Sequence, residues 1–172
     1  MLRIMGGIMI VSGCTGLGLW YRQQFLYRLK SLRKLDGILE LFMSEIRYGK
    51  ATLPECCRRL SEHLPEPYGS CFRDIFLKMQ ENTGESFGEV FQRYMKKCLS
   101  SLPLTKEDEE TFLHFTKDSS FAEGKMQLRA IEQSRELLGE VISQLQKEIG
   151  EKCRMAVGLG AMSGLLLLIV LL

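Results

Sequence analysis

The chain is poor in histidine and lacks the usual catalytic and metal-binding motifs. Its 172 residues hold two histidines, His63 and His114, and four prolines. There is no G-x-x-x-x-G-K-[ST] phosphate loop, so it carries no nucleotide engine of its own, and neither H-E-x-x-H nor G-x-S-x-G occurs. Six cysteines are present without a C-x-x-C pair, and their spacing to the histidines matches no usual zinc pattern. No strict apolar–polar alternation lasts long enough for a strand, and proline is missing from the long periodic segments. No run of like charge marks a tail, and the net charge of +2 gives no reason to expect nucleic acid as a partner. The residues therefore give an enzyme nothing specific to work with. No catalytic, cofactor-binding or metal-ligating residue is assigned.

Charge is also missing from two long stretches, residues 4–20 and 155–172. The 18 residues of the second would span about 27 Å as a helix, close to the hydrocarbon thickness of a bilayer. It closes on Leu165, Leu166, Leu167, Leu168, Ile169, Val170, Leu171 and Leu172. A buried core helix would need apolar neighbours all round, and the rest of the chain is too polar to supply them. The first run is less greasy, with Gly6, Gly7, Gly13, Gly16 and Gly18. A secretory signal would carry more basic residues than Arg3 and an evident cleavage site. Val11-Ser12-Gly13-Cys14 resembles a lipobox, which would put lipid on Cys14. The chain nevertheless stays apolar through Leu17, Leu19 and Trp20. Both runs read as membrane spans in contact with the lipid bilayer, with lipidation of Cys14 or cleavage as the alternatives for the first.

Basic residues set the orientation. Arg22, Arg28, Lys30, Arg33 and Lys34 follow the first run before most acids, and Lys147, Lys152 and Arg154 precede the second. The middle is expected in the cytoplasm and both termini outside, in a two-pass cell-membrane protein. Trp20 and Tyr21 fall where interfacial aromatic anchors belong. Cys56, Cys57, Cys71, Cys98 and Cys153 then lie where thiols stay reduced, and are expected to pack as small apolar residues.

The middle reads as helices only. The first, from about Gln24 to Tyr48, has one apolar stripe of Leu29, Leu32, Leu35, Leu39, Phe42 and Ile46. Thr52 and Glu55 have the spacing of a capping box, with Pro54 in the first turn. A third helix from about Pro67 to Gln80 puts Tyr68, Cys71, Phe72, Ile75, Phe76 and Met79 on one face. Ser86 with Glu89 opens a fourth, with Phe87, Val90, Phe91, Tyr94 and Cys98 inward. Thr105 with Asp108 opens a fifth, carrying Phe112, Leu113 and Phe115, and its acidic start, residues 107–110, suits the helix dipole better than a metal. From about Phe121, the positions Leu128, Ile131, Arg135, Leu138, Ile142, Leu145 and Ile149 form a coiled-coil-like seam with one polar member. That helix runs on toward the second span. Its seam packs either on the first helix of the same domain or on a second copy, a possible homo-oligomer. The fold class expected is all-α. A cytoplasmic bundle of about six helices at 22–154 lies between transmembrane helices at 1–21 and 155–172.

Two features suggest contacts. Gly49, Thr52, Leu53, Pro54 and Glu55, and again Gly84, Ser86 and Glu89, place a glycine, a hydroxyl cap, an apolar residue and an acid at a helix start. These exposed turns are the candidate partner-binding residues; the alternative is that they only start helices. Within the spans, Ser12 and Gly16, and Ala156, Gly160 and Gly164, are spaced by four, as in faces where helices approach closely in lipid.

Leu32-Arg33-Lys34-Leu35, Glu45-Ile46-Arg47-Tyr48-Gly49 and Thr52-Leu53-Pro54-Glu55, in that order between two terminal spans and followed by Gln127 in the long helix, carry a family resemblance. Over essentially its whole length the chain resembles the stage III sporulation protein AB family of endospore-forming bacteria. That family is in turn similar to the F-type platform proteins of type II secretion and type IV pili, although these usually have two bundles and three spans. The resemblance implies a non-enzymatic platform in the mother-cell membrane facing the forespore. It would couple a secretion-type cytoplasmic ATPase to the other membrane components of a channel between the two cells. The rival class is a membrane-anchored signalling or adaptor protein whose coiled-coil-like helix transmits a change across the bilayer.

Overall fold

The computed structural model describes residues 2–49, 51–81, 84–116 and 124–171, and side-chain surroundings over 23–49, 51–81, 84–116 and 126–151. All regular structure among them is helical: α1 (Leu2–Gly49), α2 (Leu53–His63), α3 (Tyr68–Gln80), α4 (Phe87–Leu99), α5 (Lys106–Phe112), a 3-10 turn (Leu113–Thr116) and α6 (Gly124–Leu171). The first apolar run and the first amphipathic segment are one helix of 48 residues, because neither glycine nor proline breaks the backbone between them. α6, also of 48 residues, runs without interruption through the seam into the C-terminal run.

The chain divides into two compact units. One is residues 30–142; the other is the two terminal segments, 1–29 and 143–172. In the terminal unit the described side chains include Leu29 and Leu145, both buried. Among the described residues no helix is long and apolar enough to cross a membrane. The side chains of residues 4–20 and 155–172, on which the expectation of spans rests, lie outside the described set. So do Cys14, the spaced residues Ser12, Gly16, Ala156, Gly160 and Gly164, and the 117–123 connection.

The core of unit 30–142 is aromatic. Phe42 on α1 is 1 % exposed, and its ring centre lies 6.3 Å from Phe72 on α3, 6.5 and 6.3 Å from Phe87 and Phe91 on α4, and 6.2 Å from Phe115 in the 3-10 turn. Phe91 meets Phe115 edge-on at 5.3 Å. Such tilted and edge-to-face pairs favour the ring quadrupoles beyond the area they bury. Around them the α1 stripe is buried as its spacing predicts, with Leu32, Leu35, Leu39 and Ile46 all inside. α4 is turned relative to the expectation. Met95 and Leu99 are fully buried while Tyr94 and Cys98 stay at the edge, because the aromatic cluster pulls the Phe87–Phe91 side of the helix inward.

The α6 seam closes on the same chain. Ile131 and Leu138 are fully buried. The seam's one polar member, Arg135, reaches α1, with Nε 2.8 Å from Asp36 Oδ1 and Nη2 3.2 Å from Glu40 Oε2. The pair is about one-third exposed, so solvent screens it and it directs register more than it adds stability.

Two glycines are sites of close approach. A Cβ on Gly69 would stand 2.7 Å from the carbonyl oxygen of Leu64, and one on Gly88 would stand 2.7 Å from that of Thr116. At Gly88 the contact seats the 3-10 turn on α4, where Gln92 Nε2 also donates to Thr116 Oγ1 at 2.9 Å.

Cys56, Cys57 and Cys71 are buried free thiols. Burial pushes Cys56 up to about 11 and Cys57 well above the usual thiol range. Cys71 on α3 donates to Met95 Sδ at 3.9 Å, and its interaction with half-buried Cys98 on α4 holds Cys98 down and Cys71 up.

Gly88→Ala is expected to lower stability in chemical unfolding, because the backbone clash outweighs the ~1 kcal/mol that alanine gains in a helix. Gly139 of α6 has open space around it. Gly139→Ala should therefore raise stability by up to ~1 kcal/mol; the same sign for both variants would contradict the packing. In a chain with Cys14 and Cys153 changed to serine, Cys98 should alkylate first. Cys56, Cys57 and Cys71 should be slowed by roughly 100-fold until denaturant is added, as peptide mass mapping would read.

Candidate partner-binding surface

The turn into α2 is held by charge rather than by its expected cap. Thr52 takes the N-cap position with extended backbone, φ −70° and ψ 157°, but its side chain makes no capping bond. Glu55, placed by sequence in a capping box, is drawn away. Its carboxylate accepts from Arg58 Nη2 at 2.7 Å and from Arg59 Nε at 3.4 Å. Arg58, first, and then Arg59 hold Glu55 below the ordinary carboxylate value. Arg59 Nη1 continues to Glu45 Oε2 on α1 at 2.8 Å, and Arg58 Nη1 to Glu62 at 2.7 Å. The result is an alternating row of charges from the end of α1 along α2. Each link is partly exposed and individually weak, but together they fix the angle at which the turn leaves α1. Gly49 sits under this row: a Cβ there would stand 3.0 Å from Glu45 Oε2 and 3.1 Å from Arg59 Nη1.

The turn into α4 is built as its sequence predicts. Gly84 has φ +77°, in the left-handed region that glycine enters without steric cost. Ser86 Oγ accepts from the Glu89 backbone N–H at 3.3 Å, and the Glu89 carboxylate accepts from the Ser86 N–H at 3.0 Å. The Ser86 backbone bond, helped by the hydroxyl, keeps Glu89 below its usual value. Arg93 pairs with Glu85 across the start of the helix. The box at Thr105 and Asp108 also forms, at 2.9 and 3.3 Å. It leaves Asp108 1 % exposed at the head of the acidic run.

The candidate residues divide by role. Leu53 is 5 % exposed and belongs to the core, and Pro54 and Glu55 are half-buried. Gly49, Thr52, Gly84, Ser86 and Glu89 are exposed. The turns are on the same part of the bundle. Phe87 packs on Phe42, and Gly49 lies seven residues further along α1, about 10 Å. Of the exposed set, Thr52 alone offers a side chain with no structural bond to its helix.

One surface feature escaped the sequence. An apolar groove of about 380 Å³ runs between α1 and the α2–α3 turn, lined by Lys34, Gly37, Leu41, Leu64, Pro65 and Tyr68. Leu41 is 45 % exposed. Its place off the α1 stripe was the one signal available. The opposite wall depends on how the α2–α3 turn folds back, which spacing along α1 does not encode. Among the described residues no group of three or more His, Cys, Asp or Glu side chains is disposed to hold a metal ion.

A family model described as stage III sporulation protein AB matches residues 3–172. The stage III sporulation protein AB of Bacillus subtilis (strain 168) is 23 % identical over 171 residues, 99 % of each chain. A solved structure of a stage III sporulation protein AB is similar at TM-score 0.62 and 18 % identity, over 72 % of this chain and 97 % of that one, which speaks for the fold. With the match running from residue 3 to the last residue, the chain belongs to the stage III sporulation protein AB family.

Proposed function

We propose that the chain is a non-enzymatic membrane platform in a secretion-like channel between mother cell and forespore, coupling a secretion-type cytoplasmic ATPase to the membrane complex. Family membership gives the role in sporulation. The observation that carries the rest is the layout of charge. Two uncharged runs, 4–20 and 155–172, close on a charged helical bundle whose basic residues gather next to both. In this reading the runs are spans, both termini lie outside the cytoplasm, and the spaced small residues in them meet other membrane components of the channel. The likeness to F-type secretion platforms supports the mechanical role.

The polar end of the bundle is the side offered to the ATPase. There the Glu45–Arg59–Glu55–Arg58 row and the Ser86–Glu89 box hold two turns in place before any partner arrives. Pre-ordered turns lose little entropy on binding. The rival reading, an adaptor signalling through a dimeric α6 seam, needs Ile131 and Leu138 at the surface. Both are fully buried within one chain.

Thr52→Arg tests the turn without touching the fold, because that side chain caps nothing. The full chain in lipid nanodiscs is expected to capture the cognate ATPase, and Thr52→Arg to weaken capture by roughly tenfold with unchanged thermal unfolding. Undiminished capture would remove this turn from the contact. Protease access to tags in spheroplasts tests the topology: both terminal tags should be cut and a tag between α4 and α5 protected. A cut internal tag would end the platform reading.

A further inference from the structure

Cys56, Cys57, Cys71 and Cys98 all lie in unit 30–142, and they do not share one environment. Cys56 and Cys57 are neighbours on α2, both 0 % exposed, and pack as small apolar residues of the core. Adjacent residues of one helix do not face each other, so these two are no pair.

Cys71 and Cys98 come from different helices, α3 and α4, and their surroundings interlock. The Cys71 thiol lies 3.9 Å from Met95 Sδ, and Met95 stands three residues before Cys98, on the same side of α4. The Cys98 thiol lies 3.8 Å from the carbonyl oxygen of Pro67, which also accepts the Cys71 backbone N–H at 3.4 Å. Each sulfur is thus held against the turn of helix that carries the other. Each thiol is also the largest single influence on the other's ionisation, holding Cys98 down and Cys71 up. Burial, and after it Cys98, raises Tyr68, one turn before Cys71, to about 12. A disulfide asks for two side chains that face each other across a short gap, and this pair does.

The two sulfurs are not equivalent. Cys71 is 7 % exposed, whereas Cys98 is half-buried at the edge of the bundle. Cys98 is the sulfur that a small solute reaches, with Cys71 behind it. A reachable, more acidic thiol backed by a second thiol is the arrangement of an attacking and a resolving cysteine.

We propose that Cys71 and Cys98 form a reversible disulfide, stapling α3 to α4 when the chain meets a small-molecule disulfide. The Cys98 thiolate attacks one sulfur of the reagent, the reagent's S–S bond breaks, and its first half leaves as a thiol with the proton that Cys98 gave up. Cys71 then attacks Cys98 Sγ, and the second half leaves as a thiol with the Cys71 proton. Two protein thiols lose two electrons, and one reagent disulfide becomes two thiols. The new bond closes residues 71–98 into one loop. That loop holds the Gly84 turn and the Ser86–Glu89 box, so oxidation ties together both ends of the segment that presents them. In a reducing compartment the pair rests as thiols and responds to oxidation, the usual use of a disulfide there. The chemistry does not depend on the platform reading.

The test is peptide mass mapping of the full chain, equilibrated natively in glutathione buffers from fully reduced to fully oxidised and then quenched with acid. The expected product is a peptide pair joined at Cys71 and Cys98, lost again on return to reduced buffer. Cys71→Ser should stop at glutathione on Cys98, and Cys98→Ser should leave Cys71 unmodified. Oxidation should raise the midpoint of thermal unfolding by roughly 10 °C in the unaltered chain and by less than about 2 °C in either variant. The link and the shift are both read in the unaltered chain, so a variant that folds poorly leaves the test intact. Cys98 found only as a mixed disulfide with glutathione, Cys71 joined to another cysteine, a link that appears only in denaturant, or a link without a rise in the midpoint would each overturn the staple.

Discussion

The bundle depends on one ring. Phe42 on α1 touches aromatic rings from α3, from α4 twice and from the 3-10 turn, so three short pieces of chain are registered against a single position. Those pieces need it. Two helices of 13 residues and a 3-10 turn of four are too short to persist alone in water, and their stability has to come from a shared apolar contact. α1 is long enough to serve as the common wall. The capping boxes at Ser86 and Thr105 fix where two helices begin, and the close approaches at Gly69 and Gly88 let neighbouring backbones meet. The aromatic cluster decides which faces turn inward.

α6 closes the bundle, and the way it closes decides what remains for partners. Its seam is filled by the chain's own core, with Arg135 the one polar member, answered by Asp36 and Glu40. A seam used this way cannot also recruit a partner through the same residues. What stays available is the outward side, with the held turns at the start of α2 and α4. Turns ordered before any partner arrives suit the holding of other proteins. That agrees with membership of a sporulation family and with the platform role proposed for it.

Much of this was legible in the sequence, and the reasons for the misses are specific. The α1 stripe was readable because a long helix with one buried face repeats its apolar residues at every turn. The Ser86 and Thr105 boxes were readable because capping is local chemistry. Thr52 and Glu55 had the same spacing, yet no box forms, since Arg58 and Arg59 lie three and four residues on and compete for the carboxylate. The turn of α4 toward Met95 and Leu99 follows from aromatic contacts with four other elements, which no window along α4 contains. The groove beside Leu41 is illegible for the same reason. Of the candidate contact residues, exposure could be anticipated at the glycines and caps, whereas Leu53 belongs to the core because it opens a helix that packs on its first turn.

The central claim is that Phe42 joins α1, α3, α4 and the 3-10 turn into one cooperative unit, and native-state hydrogen exchange on Phe42→Ala in the full chain tests it most directly. The account predicts that amide protection falls together, by ~3–5 kcal/mol, in α1 around residue 42, in α3, in α4 and in the 3-10 turn. Loss of protection confined to α1, with α3 and α4 unchanged, would contradict it.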